Sequence, residues 1–265
     1  LMIQNKDLAA RLRADANAQL SFFKASLRFD GGLALLTRDG QHRPNEPQEL
    51  ITTTRMIHSY ALGKLAGAPD CDAIIDAGMA ALWDRHRDTV HGGYNWSFDE
   101  NGPVETDKLA YGHMFVLLAA SSAKAVGHPD ADRLLVDISE VIDARFWEPS
   151  ANLMCDEFRQ DWTPFSDYRG MNANMHGVEA HLSAFEVTGD RQYLTRAQDI
   201  LSFFVDKMAA NNGWRLPEHY TSDWQVDYAY EGNPMFRPKG TTPGHSFELG
   251  RLLIQAWDLD GRKDD

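Results

Sequence analysis

The sequence predicts an all-α protein built from antiparallel helical pairs, and three observations carry that expectation. Connectors of one grammar recur: Ala66-Gly67-Ala68-Pro69-Asp70, Val126-Gly127-His128-Pro129-Asp130 and Val187-Thr188-Gly189-Asp190 set an aspartate every sixty residues. Each is followed by a segment whose apolar residues keep a helical period. Between such segments lie loops rich in Trp, Gly, Asp and Pro, such as 91–96 and 218–224, which read as short hairpins. Units of this length bury their apolar faces only on one another, so they stack into an open solenoid or close into a ring.

Taken in order, helices are expected near 5–29, 49–66, 71–87, 107–126, 131–146, 172–187, 191–210 and 245–258, eight in all. In each connector a glycine closes one helix in the left-handed conformation, proline (where present) blocks its continuation, and aspartate caps the next. Leu134, Ile138, Val141 and Ile142 form one buried stripe, and Leu194, Ala197, Leu201, Phe204, Val205 and Met208 form another. The run from Asp258 to Asp264 reads as a fourth connector, so the chain is expected to stop in mid-repeat, as a C-terminally incomplete single domain spanning 1–265.

Composition narrows the function. Of 265 residues, 43% are hydrophobic and 11% aromatic, enough for a folded core, which excludes intrinsic disorder. No apolar run approaches the length of a membrane span, and the first thirty residues carry charges throughout, so a soluble cytoplasmic protein is expected. A net charge of -13 repels phosphate backbones and anionic lipid, leaving no nucleic acid and no membrane as partners. Cys71 and Cys155 are too few and too isolated for a disulfide framework or a thiolate zinc site and are expected as buried thiols.

Aligning the repeats puts a histidine near the start of each helix that follows an aromatic loop: His58, His113, His176 and His245. Equivalent positions would converge in a ring. Two of them open H-x-x-E segments, His176 to Glu179 and His245 to Glu248, which place both side chains on one helical face. The imidazole titrates near neutral pH and suits proton transfer, and the carboxylate can orient it. Arg55 precedes His58 by three residues and offers a fixed fork of donors for an anionic oxygen, while Tyr111 and Asn172 sit at comparable heights. A metal reading is weighed and set aside, since no H-E-x-x-H occurs and ferritin-like sites use the reverse order, Glu-x-x-His. Trp96, Trp162, Trp214 and Trp224 are candidates to stack on a sugar or simply to fill the loops. Arg237 and Lys239 are candidates to meet an anionic substituent or to be solvated. No phosphate loop, nucleophile elbow or C-x-x-C is present.

The stretches 47–50 and 55–63, His91-Gly92-Gly93-Tyr94, 108–113, 172–179 and Pro243-Gly244-His245-Ser246-Phe247-Glu248 resemble the N-acylglucosamine 2-epimerase superfamily over nearly the whole chain, and within it the mannose and sulfoquinovose aldose–ketose isomerases. The resemblance implies an (α/α)6 barrel, of which this chain supplies about eight of twelve helices, with a sugar pocket at one end and no cofactor or metal. It implies catalysis by two histidines, one at His245 and one in a C-terminal third that this chain lacks. A monosaccharide loses a proton from C2 to give a cis-enediolate, which is reprotonated at C1. His245, His176 and Glu248 are the catalytic candidates; Arg55, Tyr111, Asn172 and Glu179 are the substrate-binding ones. A homo-oligomer is compatible with the sequence. Three alternatives stand beside this reading: a sugar 2-epimerase returning the proton to C2, a helical-barrel glycosidase using Glu179 and Glu248, and a non-catalytic sugar-binding scaffold.

Overall fold

The computed structural model describes residues 6–233 and 237–262. Eight α-helices are present among them: α1 Lys6–Phe23, α2 Leu50–Leu65, α3 Asp72–Ala81, α4 Ala110–Ala125, α5 Ala131–Val141, α6 Met171–Thr188, α7 Arg191–Leu201 and α8 Pro243–Leu259. The expected start of the first helix at residue 5 and the end of the fourth connector lie outside the described residues. Helices α2, α4, α6 and α8 pack side by side as an inner row, and α3, α5 and α7 back α2, α4 and α6 from outside. This is the (α/α)6-barrel architecture that the resemblance implied, with eight helices described.

The connectors work as the repeat suggests at their glycines and less so at their aspartates. Gly67, Gly127 and Gly189 all have positive φ, between 71° and 85°. Only Asp190 makes a side-chain cap, accepting from the Gln192 amide. Asp130 holds the cap position but gives its carboxylate to Arg133, and Asp70 takes a left-handed φ of 57° while Cys71 becomes the N-cap of α3. The outer helices α3, α5 and α7 each loosen into a π-helical stretch, Leu82–His86, Ile142–Phe146 and Ser202–Ala209. The expected stripes are buried at Leu134, Ile138 and Ile142 on α5 and its extension and at Leu194, Ala197, Leu201 and Phe204 on α7 and its extension, while Val141, Val205 and Met208 are half-buried. Each such side chain contributes about 1.5 to 3 kcal/mol when fully buried. Cys71 and Cys155 are free and buried. No helix among the described residues is long and apolar enough to cross a membrane.

The loops form short antiparallel pairs, as the turn-rich composition suggests. Ser97–Asp99 pairs with Gln48–Glu49 and with Gly102–Glu105, Lys108–Leu109 with Glu157–Phe158, Trp147–Glu148 with Leu153–Met154, and Arg169–Gly170 with His219–Tyr220. The starts of three of the four inner helices are also tied to a later loop. The first amides of α2, α4 and α6, on Leu50, Ala110 and Met171, donate to the carbonyls of Trp96, Asp156 and Glu218 at 2.7, 2.7 and 2.9 Å. These three residues therefore occupy equivalent places in successive repeats.

Candidate functional site

The inner helices can be set in register from their N-cap residues, Glu49, Leu109, Gly170 and Thr242. Four residues in, Thr53, His113 and Asn174 are fully buried and bind loop backbone or loop-side groups. Thr53 Oγ1 meets His86 Nε2 at 3.0 Å, and Asn174 brackets both the amide and the carbonyl of Met154. His113 donates from Nδ1 to the Leu109 carbonyl and accepts the Tyr94 amide at Nε2. Both ring nitrogens are used, and burial pushes its pKa down to about 3, so His113 is a neutral structural residue. The expected equivalence of four histidines therefore fails: His58, His113, His176 and His245 stand nine, four, six and three residues from their N-caps.

The convergent positions are six and nine residues in. Arg55, Phe115, His176 and Glu248 share the first tier, and His58, Leu118, Glu179 and Arg251 the second. Arg55 donates to the Tyr111 hydroxyl at 3.0 Å and its guanidinium lies 4.6 Å from the Phe115 ring centre, a cation–π contact. His176 packs against Phe115 and Tyr111, with ring centres at 4.6 and 5.2 Å. Its Nδ1 is 3.2 Å from Glu179 Oε2, so the expected i,i+3 pair is formed, and Glu179 Oε1 accepts from Arg251 at 2.9 Å. Burial alone would raise the Glu179 pKa, but the His176 hydrogen bond and the charges of His176, Arg251 and His58 outweigh it and bring it below the ordinary value. Burial lowers the pKa of His58. Because the Ser122 hydroxyl gives its proton to the Leu118 carbonyl, Ser122 Oγ accepts from His58 Nδ1–H at 2.8 Å, leaving Nε2 as the lone-pair nitrogen.

The second H-x-x-E is built differently from the first. His245 Nδ1 lies 3.1 and 3.0 Å from the two oxygens of Glu218, a residue of the loop before α8, and not on Glu248. The Glu218 hydrogen bond, opposed by partial burial, raises the His245 pKa. Glu248 instead joins His176 and Glu179, whose ligand-type atoms all lie within 4.8 Å of one another. Within that trio both oxygens of Glu179 already have a partner, His176 on one and Arg251 on the other. Burial raises the Tyr111 pKa against the opposing charge of Arg55, and Glu248 and Glu179 add to the rise. Asn172 Oδ1 is buried without a hydrogen-bond partner.

Several loop candidates are tied into the scaffold. Trp162 donates to the His91 carbonyl and packs with His113, Phe146 and Phe158, while Trp224 donates to Glu148. Trp96 backs α4 at Gly112, where a Cβ would meet its ring at 3.2 Å, and Trp214 is 73% exposed. Arg237 pairs with Glu157 at 2.7 Å and stacks on Tyr168, so it is committed elsewhere, and Lys239 lies 3.9 Å from Glu231. Sequence reasoning missed Phe115, Arg251 and Glu218. The first two repeat the helical spacing of Arg55 and Glu179 and were findable once the N-caps were aligned. Glu218 lies in an irregular loop, where no periodicity marks it.

A row of paired helices whose inner faces carry imidazole, carboxylate and guanidinium groups places the chain among the (α/α)-barrel proteins. The chain matches the family model described as N-acylglucosamine 2-epimerase (GlcNAc 2-epimerase) over residues 31–265 and belongs to that family. Among characterised relatives it is 42% identical over 248 residues to the D-mannose isomerase of Pseudomonas cannabina pv. alisalensis, covering 92% of this chain and 59% of the relative. It is 41% identical over 251 residues to that of Thermobifida fusca, covering 93% and 62%. A crystal structure of D-mannose isomerase superposes with a TM-score of 0.89 at 31% identity, covering 98% of this chain and 67% of the other. Cellobiose 2-epimerase from Spirochaeta thermophila DSM 6192 shares the fold, with a TM-score of 0.81 at 20% identity over 100% of this chain and 67% of that one. The chain thus spans about three-fifths of the length of the two isomerases it matches in sequence.

Proposed function

We propose that the chain belongs to an aldose–ketose isomerase acting on a free monosaccharide, D-mannose first, with D-fructose as product. The observation that carries this reading is the 41–42% identity to two D-mannose isomerases across more than nine-tenths of the chain. In the proposed reaction the sugar opens, C2 loses a proton, and the resulting cis-enediolate takes a proton at C1. His245 serves as acid and base, since its Glu218 contact stabilises the protonated imidazole that forms when the ring takes up a proton. Arg55, Tyr111, Asn172 and His176 surround the substrate, with Arg55 or His176 facing the enediolate oxygens; one such donor is worth about 10² to 10³ in rate. Glu248 and Glu179 receive sugar hydroxyls.

A glycosidase built on Glu179 and Glu248 would leave His176, which is bonded to Glu179, without a role in the chemistry. The test is proton NMR of D-mannose in D₂O with the full-length protein and no added metal. Fructose carrying deuterium at C1, and loss of turnover in His245→Ala, are expected. Glucose as sole product makes the protein a 2-epimerase, and normal turnover in His245→Ala removes His245 from the chemistry.

A further inference from the structure

Trp96, Asp156 and Glu218 hold equivalent places, each accepting at its carbonyl the first amide of one inner helix. Two of them also reach forward to the next inner helix. Asp156 Oδ2 accepts the amide of Gly170, the N-cap of α6, at 2.7 Å, and Glu218 Oε1 accepts the amide of Thr242, the N-cap of α8, at 3.1 Å. A side-chain oxygen that accepts the N-cap amide is a structural stitch common to both. Glu218 is one methylene longer than its counterpart, and with that extra reach both its oxygens also meet His245 Nδ1. Its side chain is 4% exposed and its backbone is fixed at both ends, by Met171 and by Gly240, so the carboxylate has one orientation to offer.

We propose that Glu218 is a positioning residue for His245: it takes the Nδ1–H, fixes the ring, and leaves Nε2 as the nitrogen that exchanges protons with the sugar. The proposal rests on the isomerase reading for its catalytic consequence, though not for its structural content. An imidazole held by a buried carboxylate has one tautomer and one ring plane, and a misplacement of about 1 Å can cost about 10²-fold in rate.

The length difference between Asp156 and Glu218 supplies the test. Glu218→Asp keeps a carboxylate able to cap Thr242, as Asp156 caps Gly170, but is too short to hold His245. Glu218→Gln keeps the reach and loses the charge. In the full-length protein both variants should retain the parent melting temperature within a few degrees. Turnover of mannose should fall in both by about 10- to 100-fold in kcat with KM nearly constant. By ¹⁵N–¹H NMR of the imidazole, the parent His245 should show the proton on Nδ1, and both variants should titrate at lower pH. Parent kcat together with a parent His245 titration in Glu218→Asp overturns the proposal. So does a loss of folding in both variants with an Nε2–H tautomer in the parent, which makes Glu218 a structural stitch alone. If the parent does not turn over mannose, the isomerase reading fails by itself, and the tautomer and titration still decide the role of Glu218.

Discussion

Asp156 ties the stability of the fold to pH in a way that can be measured directly. Its carboxyl is 6% exposed and accepts one backbone amide, from Gly170. The two neighbouring guanidiniums are paired elsewhere, Arg237 with Glu157 and Arg169 with Glu148. Burial therefore dominates and pushes the pKa from 3.8 up to about 8, against smaller lowering effects of Arg237 and the Gly170 amide. Below about pH 4 the group is protonated in both folded and unfolded chains. Between about pH 4 and 8 the folded protein keeps a proton that the unfolded chain has released. Unfolding then sheds one proton, and stability falls as pH rises, by about 1.4 kcal/mol per pH unit. Asparagine is neutral throughout and imitates the protonated acid, retaining an acceptor for Gly170. Urea unfolding of the parent and of Asp156→Asn at pH 5, 6 and 7 isolates the effect, because every other group titrates alike in both. The variant should gain about 2 to 3 kcal/mol on the parent between pH 5 and pH 7. Parallel stability curves over that range refute a neutral Asp156 at pH 7.

Two further outcomes test the scaffold around the site. Lys108 is fully buried, with Nζ on Asp88 Oδ2 at 2.9 Å and Asn95 Oδ1 at 3.1 Å, so Lys108→Met should cost about 3 to 5 kcal/mol in urea unfolding. Adding Asp88→Asn should return part of that loss, and additive costs would show that the pair is not coupled. Gly93 has φ of 72°, and a Cβ there would lie 2.8 Å from Trp162 and 2.9 Å from His113, so Gly93→Ala should cost about 2 to 4 kcal/mol, read as a lowered melting temperature. An unchanged melting temperature would mean that the aromatic cluster yields without strain.

The helical pairs were readable because amphipathic period and left-handed glycines are local signals. Seven of the eight expected helices match the observed ones once the π-helical extensions are counted with their parent helices. The first was expected to run to residue 29 and ends at Phe23, followed by a 3₁₀ turn to Ser26. Leu27 bridges to Leu33 across a turn at Asp30 and Gly31, and that pairing draws the chain out of the helix. The pocket was less readable because the depth of a side chain depends on where its helix starts. Those starts are set by pairings such as Arg169–Gly170 with His219–Tyr220, which join residues far apart in sequence. Hence His113 looked equivalent to His176 while facing the loops. Glu218 was invisible for a related reason: its partners, Met171, Thr242 and His245, lie 24 or more residues away.

Within each of α2, α4 and α6, the residue that anchors the loops and the residue that faces the pocket are two positions apart, as with Thr53 and Arg55, His113 and Phe115, Asn174 and His176. Two helical residues turn the side chain through about 200°, so the two duties fall on opposite faces of the same turn. Substitutions at the pocket position can change what is bound without loosening the entry loops, and substitutions at the anchor can be judged by stability alone. A barrel partitioned in this way can diversify its chemistry one face at a time. On the proposed isomerase reading, combinatorial replacement of Arg55, Phe115, His176 and Glu248 is thus a route to altered sugar specificity on an unaltered frame.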